Sequence, residues 1–278
     1  MKRLFALTLV FIMFLALAGC GGKSDTAQNK PDDSGQTEPQ QTVTDQTSAP
    51  EKASDGEGII CVSYEAYDSA WHAFSDYIVE QSGDHEIVAV HQSTAMPLEL
   101  KNLNYLLPLS FLGQSQQSLG KFDAAMEAGM LEVWADDVSL TYDEMGGYLL
   151  KGTDTEGSAL EIKTRYDGQA DSLRLEGYQD GNLDMVFEYS KTPDGYAAQY
   201  YYETIIGNDK FTPIYGLCTY RIIITGSNGS CARFDNVSSE PASIFGHVPD
   251  EKTFIEGAAH WFTITNGEFA GKLGGKEF

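Results

Sequence analysis

From about Leu131 onward, apolar and polar residues alternate along the chain with a period of two. This pattern is typical of β-strands that bury one face and expose the other. The alternating segments lie at 138–142, 160–166, 173–176, 184–189 and 196–202. Turn signals separate them, at Asp154–Gly157, Asp167-Gly168, Asp180-Gly181, Asp194-Gly195 and Gly207–Asp209. This regular spacing predicts a long antiparallel meander rather than an alternation of strands and helices.

The segment before Leu131 has the period of a helix instead. Apolar residues recur on one helix face at Tyr67, Ala70, Trp71, Phe74, Tyr77 and Ile78. We expect a second buried helix within 97–113, kinked or ended before Pro108, and a short third helix over Lys121–Gly129. The segment 86–92 fits either a short strand or more helix. The predicted fold class is therefore α+β, with N-terminal helices packed on a long antiparallel β-meander that forms a curved sheet or half-barrel.

Charge and burial together predict how neighbouring strands pair. Two-residue loops at Asp167-Gly168 and Asp194-Gly195 keep the apolar side chains on one face. They set Ile162 opposite Leu173, Leu160 opposite Leu175, Glu161 opposite Arg174, Phe187 opposite Tyr202, and Tyr189 opposite Tyr200. A two-residue loop at Asp180-Gly181 fails, because it places Arg174 against Phe187. A three-residue loop, Asp180-Gly181-Asn182, restores Arg174 opposite Glu188 and Leu175 opposite Phe187.

Aromatic residues gather on one face of this predicted sheet. The set comprises Tyr166, Phe187, Tyr189, Tyr196, Tyr200 and Tyr202. One interpretation is a core packed beneath the opening helices. The other is a groove that the helices cover only in part, so that the rings and their hydroxyl groups form a ligand-binding surface.

The first twenty residues carry a targeting signal. Lys2 and Arg3 precede an apolar run from Leu4 to Leu17, which is broken only by Thr8. A basic start, an apolar stretch and small residues before a cut site describe a secretory signal, and the run is shorter than a membrane span.

Leu17-Ala18-Gly19-Cys20 resembles the lipobox of bacterial lipoproteins. The resemblance implies cleavage before Cys20 and a diacylglyceryl thioether on its sulfur. It also implies anchoring in the lipid bilayer of the cell membrane, on the extracytoplasmic face.

The rest of the chain divides by composition into a tether and one domain. Residues 20–57 follow the 1–19 signal and contain no aromatic residue, so we expect a lipidated cysteine and a disordered linker. Residues 58–278 are long enough for one globular domain with a real core. Removing Lys2 and Arg3 with the signal leaves sixteen basic residues against 41 acidic ones, a net charge of about −25. Such a chain should not bind nucleic acid or anionic lipid through its surface.

Three further cysteines, at positions 61, 218 and 231, allow at most one disulfide among them. The hairpin predicted around Gly226–Gly229 sets Ile224 opposite Cys231, so Cys218 and Cys231 are not cross-strand neighbours. We expect buried free thiols, and a disulfide to Cys61 remains an alternative.

Other chemistry in the sequence is weak, and we expect neither a metal nor a cofactor. The acidic turn Asp180-Gly181-Asn182-Leu183-Asp184 has its glycine in the wrong place for an EF-type calcium loop. Ser118 and Lys121 match an SxxK pattern without the partner motifs of serine enzymes. We therefore expect no catalytic residues.

The order of anchor, tether, helices and meander resembles half-barrel lipoprotein carriers of the LolA type and related mycobacterial lipoproteins, although no sequence motif of that class matches. The resemblance implies a non-enzymatic protein that binds an apolar or amphipathic ligand, or an envelope protein. The alternatives are a cell-envelope enzyme of an unrecognised kind and a purely structural or interaction module.

Overall fold

The computed structural model describes residues 59–82, 102–143, 147–210, 212–273 and 275–278. All of them belong to one compact unit, Gly56–Phe278. The predicted signal, lipobox and tether, and the segment 86–92, lie outside the described residues. Among the described residues, no helix is both long and apolar enough to cross a membrane.

The helical elements precede the sheet, with one exception. They are α1 Ile60–Ser82, a π-helical turn Asn102–Leu106, a 3₁₀ turn Leu107–Ser110, α2 Gln114–Leu119, α3 Ala124–Leu131 and α4 Glu251–Ile255. The first predicted helix is confirmed as α1, and the third as α3 with shifted ends. The second was predicted to be kinked or ended before Pro108, and its described part is a π-helical turn followed by a 3₁₀ turn, which meet just before Pro108. Proline lacks an amide donor and cannot continue the helix preceding it.

The sheet contains eleven strands in which each pairs with the next along the chain, always antiparallel. The strands are β1 Asp136–Asp143, β2 Gly147–Thr153, β3 Ala159–Asp167, β4 Ser172–Gln179, β5 Asn182–Thr192, β6 Gly195–Asp209, β7 Thr212–Thr225, β8 Asn228–Asp235, β9 His260–Thr265, β10 Glu268–Leu273 and β11 Lys276–Glu277. This open, curved meander behind N-terminal helices confirms the α+β prediction.

The β4–β5 pairing is confirmed, but its loop is not the predicted one. Arg174 lies opposite Glu188, and Leu175 lies opposite Phe187. The turn is Asp180-Gly181, and both residues have positive φ, as a tight two-residue hairpin requires. Gly177 pairs with Met185 while the next residue pairs with Leu183, so Asp184 is an extra residue. The pairing requires an odd number of unpaired residues between the two strands. A β-bulge at Asp184 provides the extra residue that was expected in a three-residue loop.

Three other predicted registers are wrong, each by an even number of residues. Ile162 lies opposite Gly177, Phe187 opposite Tyr200, and Cys231 opposite Ile222. The β3–β4 turn is longer than expected because the Asp167 carboxylate accepts from two turn amides and Asp171 adopts a positive φ. Since side chains alternate with period two, an even shift leaves every residue on its predicted face. The predicted turn Gly207–Asp209 is also wrong, because β6 continues through Asp209.

The inner face of the sheet packs against α1, as predicted. The outer face differs from the prediction, because its centre is covered rather than wet. Residues 236–259, which link β8 to β9 and which we call the strap, lie across it. Ile244 and Phe254 of the strap pack with Ala197 in a second small core.

Candidate functional site

The predicted aromatic residues form the surface on which α1 packs. Tyr67 of α1 stacks on Tyr189 with ring centroids 4.9 Å apart, and its hydroxyl lies 2.6 Å from that of Tyr200. Five of the six predicted ligand residues are buried, and Tyr166 is partly exposed. A ligand would reach the rings beneath α1, such as Tyr189 and Tyr200, only if α1 moved away, because close-packed interiors leave no room beside them. The ligand-binding role of the six residues stays a prediction.

The three cysteines of the domain are buried free thiols, as expected. Burial raises the pKa of Cys61 to about 11 and that of Cys218 and of Cys231 to about 12. Since the thiolate is the reactive form, none of the three is suited to nucleophilic chemistry at neutral pH.

The acidic turn is explained by local structure. The Asp180 carboxylate accepts from the Ala159 amide at 2.9 Å, and Asp184 accepts from the Tyr105 hydroxyl at 2.9 Å. Gly177 lies under the same Tyr105 ring, where a Cβ would approach to 2.5 Å. Within the described ranges, no three His, Cys, Asp or Glu side chains are grouped so that they could hold a metal ion.

The most unusual chemistry lies on the outer face, in a polar row that crosses four central strands. Arg174 of β4 lies opposite Glu188 of β5, which lies opposite Gln199 of β6. Gln199 in turn lies opposite Arg221 of β7. The register therefore aligns four polar side chains beneath the strap, where burying a charge is costly unless it is paired.

Glu188 fastens the strap to the sheet. Its side chain is 0 % exposed. One oxygen accepts from Arg174 and Ser243, both at 2.5 Å, and the other from Gln199 at 2.7 Å and the Ile244 amide at 2.9 Å. Burial alone would raise the pKa of Glu188, but these hydrogen bonds outweigh it and lower the pKa below its usual value.

Arg174, at one end of the row, is fully neutralised. Its guanidinium pairs with Glu188 at 2.5 Å, with Glu240 of the strap at 2.7 Å and with Glu176 at 2.8 Å. Three carboxylates thus surround one cation.

Arg221, at the other end, forms no ion pair within the part of the chain that the structure describes. Its Nη1 donates to the Phe254 carbonyl at 2.9 Å. The guanidinium carbon lies 4.8 Å from the Phe254 ring centroid and 4.9 Å from that of Phe234. Burial lowers the pKa of Arg221, and no carboxylate offsets this effect. Its Nε is shut off from solvent without a hydrogen-bond partner among the described residues.

An open cavity of about 490 Å³, which we call the strap cleft, lies beside Arg221. Its lining consists of Thr219, Arg221, Phe234, Asp235, residues 236–241, Gly257 and Ala259. Thr219 is 2 % exposed, and its hydroxyl has no hydrogen-bond partner in the described structure. The volume falls in the range of small-molecule sites.

Both carboxylates of the strap cleft are already engaged by cations. Arg233 Nε donates to Asp235 at 2.7 Å, and Glu240 pairs with Arg174. Arg221 is therefore the one cation of the described lining, and it has no carboxylate partner among the described residues although the whole chain is strongly acidic.

Arg165 provides a useful comparison on the same face. It lies opposite Arg174 and borders a different cavity of about 440 Å³. Its guanidinium carbon sits 5.2 Å from the Phe245 ring, but the side chain is exposed. Water can solvate Arg165, whereas Arg221 is partly withdrawn from water.

The strap cleft was not predicted from the sequence. Arg221 precedes three isoleucines in β7 and alternates with apolar residues, so the pattern places it correctly on the outer face. The residues that cover it are distant in the chain and carry no periodic signal. Arg221 is the single charged residue of β7, and this was the available clue.

Comparison of the chain with known protein families, curated proteins and solved structures gives no match.

Proposed function

We propose that this protein is a membrane-anchored extracytoplasmic lipoprotein whose β-rich domain binds a small ligand in the strap cleft and catalyses no reaction. The observation that carries the binding part is Arg221, a partly buried guanidinium that forms no ion pair with the described residues and lies beside an open cavity. The Leu17-Ala18-Gly19-Cys20 motif supports the anchored part.

The groups in the strap cleft favour binding over catalysis. Catalytic acids and bases need protonation states that change near the working pH. Arg221 stays charged at neutral pH, and Asp235 and Glu240 are each engaged in an ion pair with an arginine. Such fixed charges orient a ligand but do not transfer protons.

The anchor is tested by fractionation. We expect the wild-type chain in the membrane fraction, labelled by radioactive palmitate, and the Cys20→Ala variant to lose the label. A variant that keeps both the label and the membrane association would refute the lipobox assignment.

The binding site is tested with the full chain purified from membranes in mild detergent. A small-metabolite library is screened by thermal shift on the wild type and on Arg221→Met. Arg165→Met serves as the matched control, because it removes the same group from the same face outside the cleft. Ligands that stabilise the wild type should stabilise Arg165→Met equally and Arg221→Met much less. Ligands that act equally on all three proteins would place the site elsewhere.

A second candidate, docking of a partner protein, has its own structural support. Pairing of β6 with β5 ends at Tyr202, and pairing of β7 with β8 ends at Cys218. Beyond those points the two strands pair with each other as far as Asp209 and Thr212. This two-stranded extension of β6 and β7 exposes four apolar side chains: Ile205, Ile214, Tyr215 and Leu217. Apolar patches of this kind often mark contact surfaces.

A further inference from the structure

We propose that the ligand of the strap cleft is a small monocarboxylate with a polar, hydrogen-bonding body, whose carboxylate pairs with Arg221. This inference rests on the proposed function, since it names the chemistry of the same site. It is drawn from the charge, size and lining of the cleft.

The sign of the ligand follows from the ion pairs already made. The two acids that line the cleft already contact Arg233 and Arg174, whereas the described residues give Arg221 a carbonyl and two aromatic rings but no carboxylate. A hydrogen bond to a carbonyl oxygen and cation–π contacts offset part of the cost of withdrawing a guanidinium from water. A bound anion would supply the missing opposite charge.

A single carboxylate fits the remaining hydrogen-bond donors. A guanidinium has five N–H groups in a planar fork that matches a carboxylate. The Phe254 carbonyl uses one of them, and Nε is shut off from solvent. The terminal nitrogens keep the other donors, which are enough for one carboxylate.

A second negative charge on the ligand is unfavourable. Asp235 and Glu240 stand in the lining of the same cleft, and the described lining holds no further cation. The one cation of the described lining, Arg221, matches a single negative charge, so a phosphate or sulfate dianion would leave its second charge without a cation there. The net charge of the chain, −23, also repels polyanions such as nucleic acids and sulfated polysaccharides.

The part of the ligand beyond its carboxylate would contact polar strap side chains and the Phe234 ring. Asn236, Ser238 and Ser239 are exposed on the strap side of the cleft, and Phe234 lies beside the guanidinium. Amide and hydroxyl groups recognise hydroxyl or amide substituents, while the ring contacts an apolar face. Acidic monosaccharides combine these features, and a cavity of about 490 Å³ accommodates them.

The experiment is calorimetric titration of the detergent-purified full chain with glucuronate and with N-acetylneuraminate. Glucose, which lacks the carboxylate, and inorganic phosphate are titrated at the same ionic strength. We expect binding of at least one of the acids, little binding of glucose, and phosphate weaker than the acid. Loss of a hydrogen-bonded charge pair should weaken that binding by about tenfold to hundredfold in Arg221→Met.

Two further variants make the result specific. Arg165→Met should bind within about twofold of the wild type, because thermodynamic effects of distant sites are nearly independent. Ser239→Trp keeps Arg221 but narrows the cleft, and it should also abolish binding. Circular dichroism and the melting temperature verify that each variant is folded.

The outcomes separate this inference from the proposed function. Glucose binding as tightly as glucuronate, phosphate binding more tightly than either acid, or no binding of either acid would overturn the monocarboxylate assignment. The cleft would remain the ligand site if a neutral or cationic ligand bound and lost affinity in Arg221→Met and Ser239→Trp. Binding that both variants retain would overturn the two proposals together.

Discussion

Glu188→Gln is the substitution that most directly tests how the strap is held on the sheet. Each carboxylate oxygen accepts two hydrogen bonds, so an amide NH₂ group at either position faces two donors. The neutral amide also removes the partner of Arg174, although Glu176 and Glu240 still pair with that guanidinium. Both losses occur where the side chain is 0 % exposed, so water cannot replace the lost contacts.

The magnitude follows from the lost contacts. Hydrogen bonds to a charged group contribute about 1.5–3 kcal/mol each, and breaking a buried ion pair costs about 3–5 kcal/mol. These figures overlap, because the Arg174 contact counts in both. We expect the free energy of unfolding to fall by about 3–5 kcal/mol, and the melting temperature by roughly 10 °C for a domain of this size.

The assay is urea unfolding at pH 7, followed by circular dichroism, with Glu161→Gln as the matched control. Glu161 pairs with Lys151 at 2.8 Å and with Lys163 at 3.0 Å, but it lies nearer the surface. Surface ion pairs contribute about 0–1 kcal/mol, so the control should lose little stability. A loss below about 1 kcal/mol for Glu188→Gln would refute the view that Glu188 secures the strap.

The pH dependence gives an independent check. The pKa of Glu188 is lowered by folding, so its contribution is complete above the pKa of the unfolded chain. That contribution is lost as the pH falls below about 4.5, through the lowered folded-state pKa. The stability difference between wild type and Glu188→Gln should therefore shrink in acid. A constant difference across this range would contradict the linkage.

Three further predictions concern packing, thiols and the unpaired arginine. Gly177→Ala places a Cβ 2.5 Å from the Tyr105 ring and should lower the free energy of unfolding by about 1–3 kcal/mol. Gly207→Ala is the control, because a Cβ there meets open space and stability should hardly change. Thermal unfolding measures both. The three buried thiols should resist maleimide at pH 8 in the native protein and react in urea, and fast native labelling would contradict their burial. Arg221→Met removes a hydrogen bond to the Phe254 carbonyl and two ring contacts, but it also removes a partly buried charge. The free energy of unfolding of the ligand-free protein should therefore change by less than about 1 kcal/mol. A loss above about 3 kcal/mol would show that Arg221 is structural.

The alternation of apolar and polar residues was sufficient to predict the faces of the sheet but not its exact registers. Each of the shifted hairpins moved by an even number of residues, which the face pattern cannot detect. The odd count at Asp180-Gly181 could be detected, and it led to the correct pairing of Arg174 with Glu188. Its cause is a bulge at Asp184, whose carboxylate accepts from the Tyr105 hydroxyl 79 positions away in the chain, and no local pattern reveals such a contact.

The candidate site could not be predicted for a related reason. Glu188 and Ile244 are 56 positions apart, and the part of the strap that carries Ile244, residues 236–250, contains neither helix nor strand. A sequence pattern reveals which side chains point outward, but not that a later segment will cover them. Nothing in the sequence pattern distinguishes Arg221 from a solvated cation on the same face.

The strictly sequential order of the strands has a consequence for how the chain is assembled. Every strand pairs with its neighbour in sequence, so each hairpin can form as soon as its second strand is available. There are two exceptions. Helix α1 can pack only after β5 and β6 have formed, because Tyr67 contacts Tyr189 and Tyr200. The strap can bind the Glu188 carboxylate only once Ile244, whose amide donates to it, is present. The strap cleft should therefore be among the last parts of the domain to form, and folding intermediates should lack ligand binding while their central strands already resist hydrogen exchange.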